Sequence, residues 1–280
     1  MTHENGKTVQ HIPRKKASVR IIALLTDFGS RDQYVAAMKG VILSINPTAQ
    51  ILDITHEVQP QRIQQAGYLL WSVYKYFPMG TIFVTVVDPE VGTKRGLLGV
   101  RTKQFIFLAP DNGLLDFIFQ EEKIIEEIEI RKEDAKEYVL EGISSTFQGR
   151  DVFAPLAAHL SKGLALKRLG VPRNRKQIVP QFVHSQTDTR KARILHIDCF
   201  GNIITNLAMG SMEHIHKNLK AISVGANLVS QVIHYYDEAP ANTPCLVVGS
   251  NGLVEVSVKN KSASHLLRAT LDTPVKVYWR

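Results

Sequence analysis

The first half of this 280-residue chain alternates short apolar runs with longer amphipathic segments, and this alternation constrains the fold most strongly. The runs "VRIIALLTDF", "QILDIT" and "GTIFVTVV" have the length and composition of buried strands. Between them, "DQYVAAMKGVILSI" and "QRIQQAGYLLWSVYKYF" are long enough for helices, and the first places Tyr34, Met38, Val41 or Ile42, and Ile45 on one stripe. Strands separated by such helices predict βαβ units and a mostly parallel sheet. Two further runs, "GLLGVRT" and "QFIFLAP", predict a hairpin.

The pattern changes after about Gly163, where a Pro-, Arg- and Lys-rich stretch without sustained periodicity predicts a linker. Beyond it, six short apolar segments separated by turn residues predict a small all-β unit, with "SASHLLRA" as its one short helix. The predicted organisation is a disordered basic tail at 1–19, an N-terminal α/β domain at 20–165, a linker at 166–190 and a C-terminal domain at 191–280.

The formal charge of +8 is unevenly distributed along the chain. Residues 1–20 contain five Lys or Arg and one Glu, a net of +4, which leaves +4 for the other 260 residues. Such a tail favours a solvated extension without a partner over a polyanion-binding arm, whose affinity would be weak and sensitive to salt.

Several classes of protein do not fit this composition. The longest apolar runs are far shorter than a membrane span, and the N-terminal segment lacks the apolar core of a secretory signal. The two cysteines, Cys199 and Cys245, form neither a disulfide framework nor a CxxC metal pair. We therefore predict a cytoplasmic protein with no membrane association.

Polar residues follow several of the predicted strands, at the edge of a parallel sheet where ligands bind. Asp27 ends the first strand, Asp88 ends "TIFVTVV" with Arg95 seven residues later, and "PDNG" at 110–113 and Gln148 in "STFQGRD" add to them. Each has a simpler interpretation: Asp27 and Asp32 as helix N-caps, and the others as turn residues. Together they predict a ligand pocket. A carboxylate at a strand end suits the two hydroxyls of a ribose, and an Asp88–Arg95 pair could orient a water molecule.

Familiar cofactor motifs are missing from the sequence. No GxGxxG opens the first helix and no GxxxxGK[ST] occurs, so neither a dinucleotide fingerprint nor a phosphate loop is supported. The histidines form no recognisable metal motif, and "HIH" at 214–216 is better explained by a surface loop or strand than by zinc. We expect no metal and no cofactor.

Seven motifs occur in the order found in one known family: "LLTDFGSRDQYVAAMKG", "LDITHEVQP", "GTIFVTVVDPEVGTKR", "PDNGLL", "STFQGRDVFAPLAAHL", "IDCFGNIITNL" and "GSNGLVEVSV". Over residues 20 to 280 the chain resembles the S-adenosylmethionine hydroxide adenosyltransferases, relatives of the fluorinating and chlorinating adenosyl enzymes. The resemblance implies an α/β fold, with an N-terminal mostly parallel α/β sandwich domain and a smaller C-terminal β-barrel. It also implies a homotrimer that holds its substrate between domains of adjacent subunits.

The resemblance implies a reaction as well, the attack of water or hydroxide at C5′ of the ribose of S-adenosyl-L-methionine, which expels methionine. Asp88, Arg95 and Gln148 occupy the catalytic positions, and Asp27 the position that binds the ribose hydroxyls. The remaining positions are implied to bind substrate: Phe147, Gly149, Asp198, Asn202, Tyr235, Tyr236, Ser250 and Asn251.

The sequence departs from the family pattern at the third catalytic position, where hydrolases read "TFHGRD" and this chain has Gln148. Glutamine can hold a water but cannot take its proton, because its amide does not titrate near neutral pH. In addition, Glu90 replaces a glycine, and Gln61 and Arg62 replace an aromatic–Asp pair.

Three functions follow from this sequence. The first is an adenosine-forming S-adenosylmethionine hydrolase, slowed by the missing imidazole. The second is a catalytically impaired protein that binds S-adenosylmethionine or adenosine. The third, nucleic-acid binding through the tail and the small C-terminal unit, is disfavoured because its strands lack aromatics interleaved with Lys or Arg.

Overall fold

The computed structural model describes residues 20–173, 179, 181–184 and 192–280. The predicted tail at 1–19 lies outside the described residues, as do 174–178, 180 and 185–190 of the predicted linker. The chain divides into two compact units. The first takes in residues up to 62 together with 73–112 and 122–175, and the second takes in 63–72, 113–121 and 176–280.

A seven-stranded sheet forms the centre of the first unit, with the order β2-β1-β3-β5-β4-β6-β7. Strands β1, β2, β3 and β5 pair in parallel, and β6 runs in the same direction because both it and β5 are antiparallel to β4. Five of the seven strands therefore share one direction, which confirms the mostly parallel sheet, and the β4–β5 pair confirms the hairpin. The strands are β1 (Ile21–Thr26), β2 (Gln50–Thr55), β3 (Ile82–Val86), β4 (Leu97–Thr102), β5 (Ile106–Pro110), β6 (Ile124–Ile130) and β7 (Gly170–Pro172).

The helices of the first unit are α1 (Tyr34–Ile45), α4 (Lys132–Ala135) and α5 (Ala154–Ser161). Helix α1 buries Val35, Met38 and Ile42, whereas Tyr34 of the predicted stripe remains 40% exposed. Strands β1 and β3 are apolar and almost fully buried, as expected of parallel strands covered on both faces. Each fully buried Leu or Ile in this core contributes about 1.5–3 kcal/mol relative to exposure.

Residues 166–172, which the sequence assigned to the linker, extend this unit. Leu166–Leu169 is a 3₁₀-helix whose two leucines join the core, and β7 follows it directly and pairs with β6. Arg173, the next residue, binds Asp111 at 2.6 Å.

The second unit contains two antiparallel sheets, with the orders β11-β10-β14 and β12-β13-β9-β8. All six strands predicted from the apolar segments are present, and only β11 was not predicted. Neither sheet closes on itself within the described ranges, so the predicted β-barrel is not confirmed. The strands are β8 (Ile194–Ile197), β9 (Ile203–Ala208), β10 (Leu219–Val224), β11 (Asn227–Val229), β12 (Cys245–Val248), β13 (Leu253–Ser257) and β14 (Val275–Trp279).

Among the described residues, four α-helices belong wholly or mainly to the second unit. They are α2 (Ile63–Val73), whose last residue falls in the first unit, α3 (Asp116–Glu121), α6 (Met212–Asn218) and α7 (Ala263–Leu267). Helix α7 confirms the predicted short helix. The prediction of a loop or strand for "HIH" is wrong, because these residues lie in α6, where the Ser211 side chain caps the helix by accepting from the His214 N–H. In the part of the chain that the structure describes, no helix has the length and hydropathy to cross a membrane.

Candidate active site

Asp88 and Arg95 form a buried ion pair in the loop that follows β3. Arg95 donates from Nε to Asp88 Oδ1 at 2.6 Å and from Nη2 to Oδ2, and each side chain is only 4% exposed. Asp88 Oδ1 also accepts from the Glu90 N–H at 3.2 Å, so the predicted turn role and the predicted pairing are both present. Removing one partner of such a pair costs about 3–5 kcal/mol, because the other charge stays buried.

Gln148 joins this pair through Arg95. Arg95 Nη2 donates to Gln148 Oε1 at 2.6 Å, and Arg95 Nη1 donates to the Gly96 carbonyl at 3.1 Å. A guanidinium only donates, so the amide oxygen must face it and the amide nitrogen must face away. Gln148 is 5% exposed, and no group in the described ranges accepts a hydrogen bond from its Nε2. The structure thus brings the three predicted catalytic residues into one chain of contacts that ends on an unpaired N–H donor.

Two loops meet to build this arrangement. Gly92 lies in the first loop with φ +84, and a Cβ there would come within 2.5 Å of the Ser145 carbonyl oxygen in the second loop. A glycine is therefore required for the two loops to approach closely enough for Arg95 to reach Gln148.

A π-helical turn at Gly149–Phe153 presents Gln148. Asp151 anchors the turn, because its carboxylate accepts from Arg150 Nε at 2.6 Å and from the Ser144 N–H at 2.8 Å. Burial raises the pKa of Asp151, but these two hydrogen bonds outweigh it and leave the pKa below its usual value. Single π-turns of this kind occur frequently at functional sites.

Phe147 and Gly149 flank Gln148 within an aromatic cluster. The Phe147 ring packs edge-on against Phe28 at 5.7 Å and Tyr34 at 5.1 Å. A Cβ on Gly149 would lie 3.2–3.3 Å from Phe28, Met38 and Phe147. The cluster therefore leaves little room for any side chain at position 149.

Asp27 lies in the turn after β1, half-buried, and accepts from the Gln61 N–H at 2.9 Å. It caps no helix: α1 begins after Gln33, and neither Asp27 nor Asp32 provides a side-chain cap. Burial raises the pKa of Asp27, and the negative charge of Asp88 adds to the rise. Asp27 and Asp88 follow β1 and β3, which pair in parallel, so both lie at the carboxyl edge of the sheet.

Asp111 and Asn112, the remaining predicted cluster, have structural partners. Asp111 pairs with Arg173, and Asn112 donates from Nδ2 to the Val87 carbonyl at 2.8 Å, just before Asp88. These residues support the loop and do not join the Asp88–Arg95–Gln148 chain.

In the second unit, Asp198 and Asn202 close a tight loop between β8 and β9. Asp198 Oδ1 accepts from the N–H groups of Phe200 and Asn202, and Oδ2 accepts from Asn202 Nδ2 at 2.9 Å. The carboxylate is thus held in one orientation before any ligand arrives.

Tyr236 lies near this loop and contacts a residue that the sequence analysis missed. Its hydroxyl donates to Glu255 Oε2 at 2.9 Å, and burial followed by the charges of Glu255 and Asp198 raises the pKa of Tyr236. Burial, reinforced by Asp198, also raises the pKa of Glu255. The motif "GLVEVSV" contains Glu255, a lone acidic residue within an apolar strand, and this was the available signal.

The other predicted residues of this unit differ in their contacts and in their exposure to solvent. Asn251 lies near Tyr68, another residue that the sequence analysis missed, and partly offsets the rise that burial causes in the Tyr68 pKa, while Ser250 lies exposed beside Asn251 in the β12–β13 turn. Tyr235 is 59% exposed, and no side-chain contact joins it to Tyr236, Glu255 or Asp198 in the part of the chain described. Over these same residues, no group of three or more His, Cys, Asp or Glu side chains could hold a metal ion.

Comparison with known proteins gives matches to both units. The SAM hydroxide adenosyltransferase N-terminal domain matches residues 22–170, and the corresponding C-terminal domain matches residues 192–276. A protein of Methanocaldococcus jannaschii named (R)-S-adenosyl-L-methionine hydrolase is 35% identical over 272 residues, 92% of this chain and 96% of its own length. A protein of the same name from Thermus thermophilus is 32% identical over 264 residues, 92% of this chain and 100% of its own. The crystal structure of an uncharacterized conserved protein from Thermotoga maritima is 31% identical, with a TM-score of 0.81 over 92% of this chain and 100% of that one.

Proposed function

Because this chain belongs to the SAM hydroxide adenosyltransferase family, we propose that it hydrolyses S-adenosyl-L-methionine to adenosine and L-methionine. The observation that carries the proposal is the buried Asp88–Arg95–Gln148 chain, which ends on an amide N–H without a hydrogen-bond acceptor among the described residues. Relatives across 92% of the chain carry the name (R)-S-adenosyl-L-methionine hydrolase, so the substrate we propose includes the R epimer at sulfur.

The sulfonium group of S-adenosyl-L-methionine is already a good leaving group, so the reaction needs little help at the bond that breaks. The water oxygen forms a bond to C5′ while the C5′–S bond breaks, and the electron pair goes to sulfur to give the neutral thioether of methionine. The leaving group needs no acid because the thioether departs uncharged, and the proton of the attacking water reaches solvent when the site opens to release the products. What the protein must supply is a substrate and a water molecule held in line, in a site closed to bulk solvent.

The four site residues of the first unit each have a role in this reaction. Asp27 accepts hydrogen bonds from the ribose hydroxyls. Gln148 donates from Nε2 to the water oxygen, and Arg95, fixed by Asp88, keeps the amide in that orientation. Gln148 therefore orients the nucleophile without deprotonating it, and loss of a positioned base typically costs about 10²–10⁴-fold in rate.

In the second unit, Asp198 and Asn202 face the methionine part of the substrate, with Ser250 and Asn251 beside them, and Tyr236 or Tyr235 contacts adenine. The two tyrosines are similarly exposed, at 59% and 48%, and the hydrogen bond of Tyr236 to Glu255 favours Tyr236 for that role. The homotrimer and the cytoplasmic location stay predictions.

A second candidate function, a binding protein that no longer turns its ligand over, is favoured by the absence of a titrating group at position 148. Nucleic-acid binding through the basic tail and the small C-terminal unit stays a disfavoured prediction, and residues 1–19 lie outside the described residues.

One assay separates these functions. Purified protein is incubated with each sulfur epimer of S-adenosyl-L-methionine, and adenosine and methionine are quantified against a protein-free sample. Equimolar adenosine and methionine above the background rate support the hydrolase. Tight binding of adenosine or substrate without turnover supports the binding protein and contradicts the hydrolase.

A further inference from the structure

The turn that carries Asp27 is hydrogen-bonded to His56, the residue that follows β2. The Gly29 N–H donates to the His56 carbonyl oxygen at 2.8 Å. The His56 ring also reaches the turn, because its Nδ1 lies 2.8 Å from Thr26 Oγ1, and both side chains are buried. His56 thus contacts the residues on either side of Asp27, once through its main chain and once through its ring.

An irregularity in the sheet makes this double contact possible. Leu24 pairs with Asp53 and Leu25 pairs with Thr55, so Ile54 has no partner in the β1–β2 register. Such a bulge bends a strand and redirects the side chains that follow, and bulges are common beside active sites. Here it places His56 against the end of β1.

Thr26 joins the two parts of this network. Its Oγ1 accepts from the Phe28 N–H at 3.3 Å and also shares a hydrogen bond with His56 Nδ1, whose direction is set by the tautomer of the ring. A valine in place of Thr26 would keep the shape but remove both interactions.

The network continues outward to the protein surface. His56 Nε2 lies 3.0 Å from Asp53 Oδ1, and Asp53 Oδ2 accepts from Lys39 Nζ at 2.6 Å. Burial raises the pKa of Asp53, but the interactions with Lys39 and His56 outweigh it and lower the pKa. Thr26 and Asp53 thus lie against different ring nitrogens of His56.

We propose that Thr26 and His56 are positioning residues for ribose recognition, which fix the direction of the Asp27 carboxylate without contacting the ligand. The proposal rests on the proposed function, in which Asp27 binds the ribose hydroxyls. Thr26 and His56 then determine how strongly the protein distinguishes a ribose from a sugar that lacks the 2′- and 3′-hydroxyls.

Calorimetric titration with adenosine and with 2′,3′-dideoxyadenosine tests this role, because the ratio of the two dissociation constants reports the hydroxyl contacts alone. The ratio is the dissociation constant of 2′,3′-dideoxyadenosine divided by that of adenosine. We expect Thr26→Val to lower this ratio by about tenfold, because the hydrogen bonds from the ribose hydroxyls to the Asp27 carboxylate weaken. Thr26→Ser should retain the wild-type ratio, because serine keeps the hydroxyl. Thr85→Val is the matched control. Thr85 is equally buried on neighbouring β3, opposite Leu25, and donates to the Leu108 carbonyl.

A folded Thr26→Val protein with the wild-type ratio overturns the proposal. If Thr26→Val does not fold, His56→Leu is measured instead, and an unchanged ratio in that variant overturns it equally. If the wild-type protein binds both nucleosides with equal dissociation constants, Asp27 does not bind the ribose hydroxyls. The positioning role of Thr26 and His56 is then contradicted as well. A wild-type preference that survives in the variants contradicts the positioning role alone.

Discussion

Gln148 occupies the position at which the family resemblance predicts a histidine. Its oxygen is occupied by Arg95, so only its N–H groups can meet a nucleophile. A histidine at the same position could accept a proton from the water as well as hold it.

We therefore expect Gln148→His to raise the turnover number by about 10²-fold, toward the lower end of the gain from a positioned base. The rate of the variant should also fall on the acid side of its pH profile, where the new imidazole is protonated, whereas the wild-type rate should not. Gln50→His, at the exposed start of β2, serves as the control. An unchanged rate in Gln148→His argues against a water site at position 148.

Asp27 gives a prediction about pH. Burial and the charge of Asp88 raise the pKa of Asp27 in the folded protein. Ionised Asp27 therefore lowers the free energy of unfolding. This loss is absent below the pKa of Asp27 in the unfolded chain and grows as pH rises through the higher pKa of the folded state. Asp27→Asn removes this cost and can still accept from the Gln61 N–H. In urea unfolding we expect the variant to be more stable than wild type at about pH 8, with a difference that narrows toward pH 4. Adenosine should bind about tenfold more weakly or worse. Equal unfolding free energies of Asp27→Asn and the wild type at both pH values contradict a raised pKa for Asp27.

At the scale of elements, the loop after β3 and the loop before the π-helical turn must pack closely to join Arg95 with Gln148. Gly92 is the point of contact. Gly142 provides a comparison because its φ is also positive, at +68, while a Cβ added there would meet nothing within 4 Å.

Gly142→Ala should cost about 1–2 kcal/mol in unfolding free energy, the penalty of a positive φ. Gly92→Ala should cost about 3 kcal/mol or more, because the Ser145 backbone must also move. Turnover should fall only in Gly92→Ala. Equal stability losses and equal activities in the two variants would show that this loop contact does not hold the site together.

The sequence predicted elements with a clear hydrophobic period and missed those without one. Strand β6, "IIEEIEI", mixes glutamates with isoleucines, and the short β7 forms only because β6 offers a free edge. Helix α6 depends on its Ser211 cap rather than on an apolar stripe.

In the candidate site, residues that follow strands were predicted from local sequence, and the structure joins Asp88, Arg95 and Gln148. His56, Glu255 and Tyr68 were missed because their contacts depend on pairing register and on packing between distant segments. The bulge at Ile54, which places His56, leaves no mark in the local pattern of residues.

At the scale of the whole molecule, half of the net charge of +8 lies in residues 1–20, ahead of the first strand and of the family match that starts at residue 22. We expect deletion of residues 1–19 to leave the unfolding midpoint and the turnover number unchanged within error. Binding of the full-length protein to a random DNA duplex should be weak and should disappear at raised salt. A truncated protein that loses turnover contradicts the assignment of the tail as a solvated extension.

In the proposed reaction a single water molecule, held by Gln148, attacks C5′ of a bound adenosyl group. Turnover of S-adenosyl-L-methionine in ¹⁸O-labelled water, followed by mass spectrometry of the products, tests this step. We expect one ¹⁸O atom in the 5′-hydroxyl of the adenosine and none in the methionine. Adenosine without label, or no adenosine above the protein-free background, contradicts it.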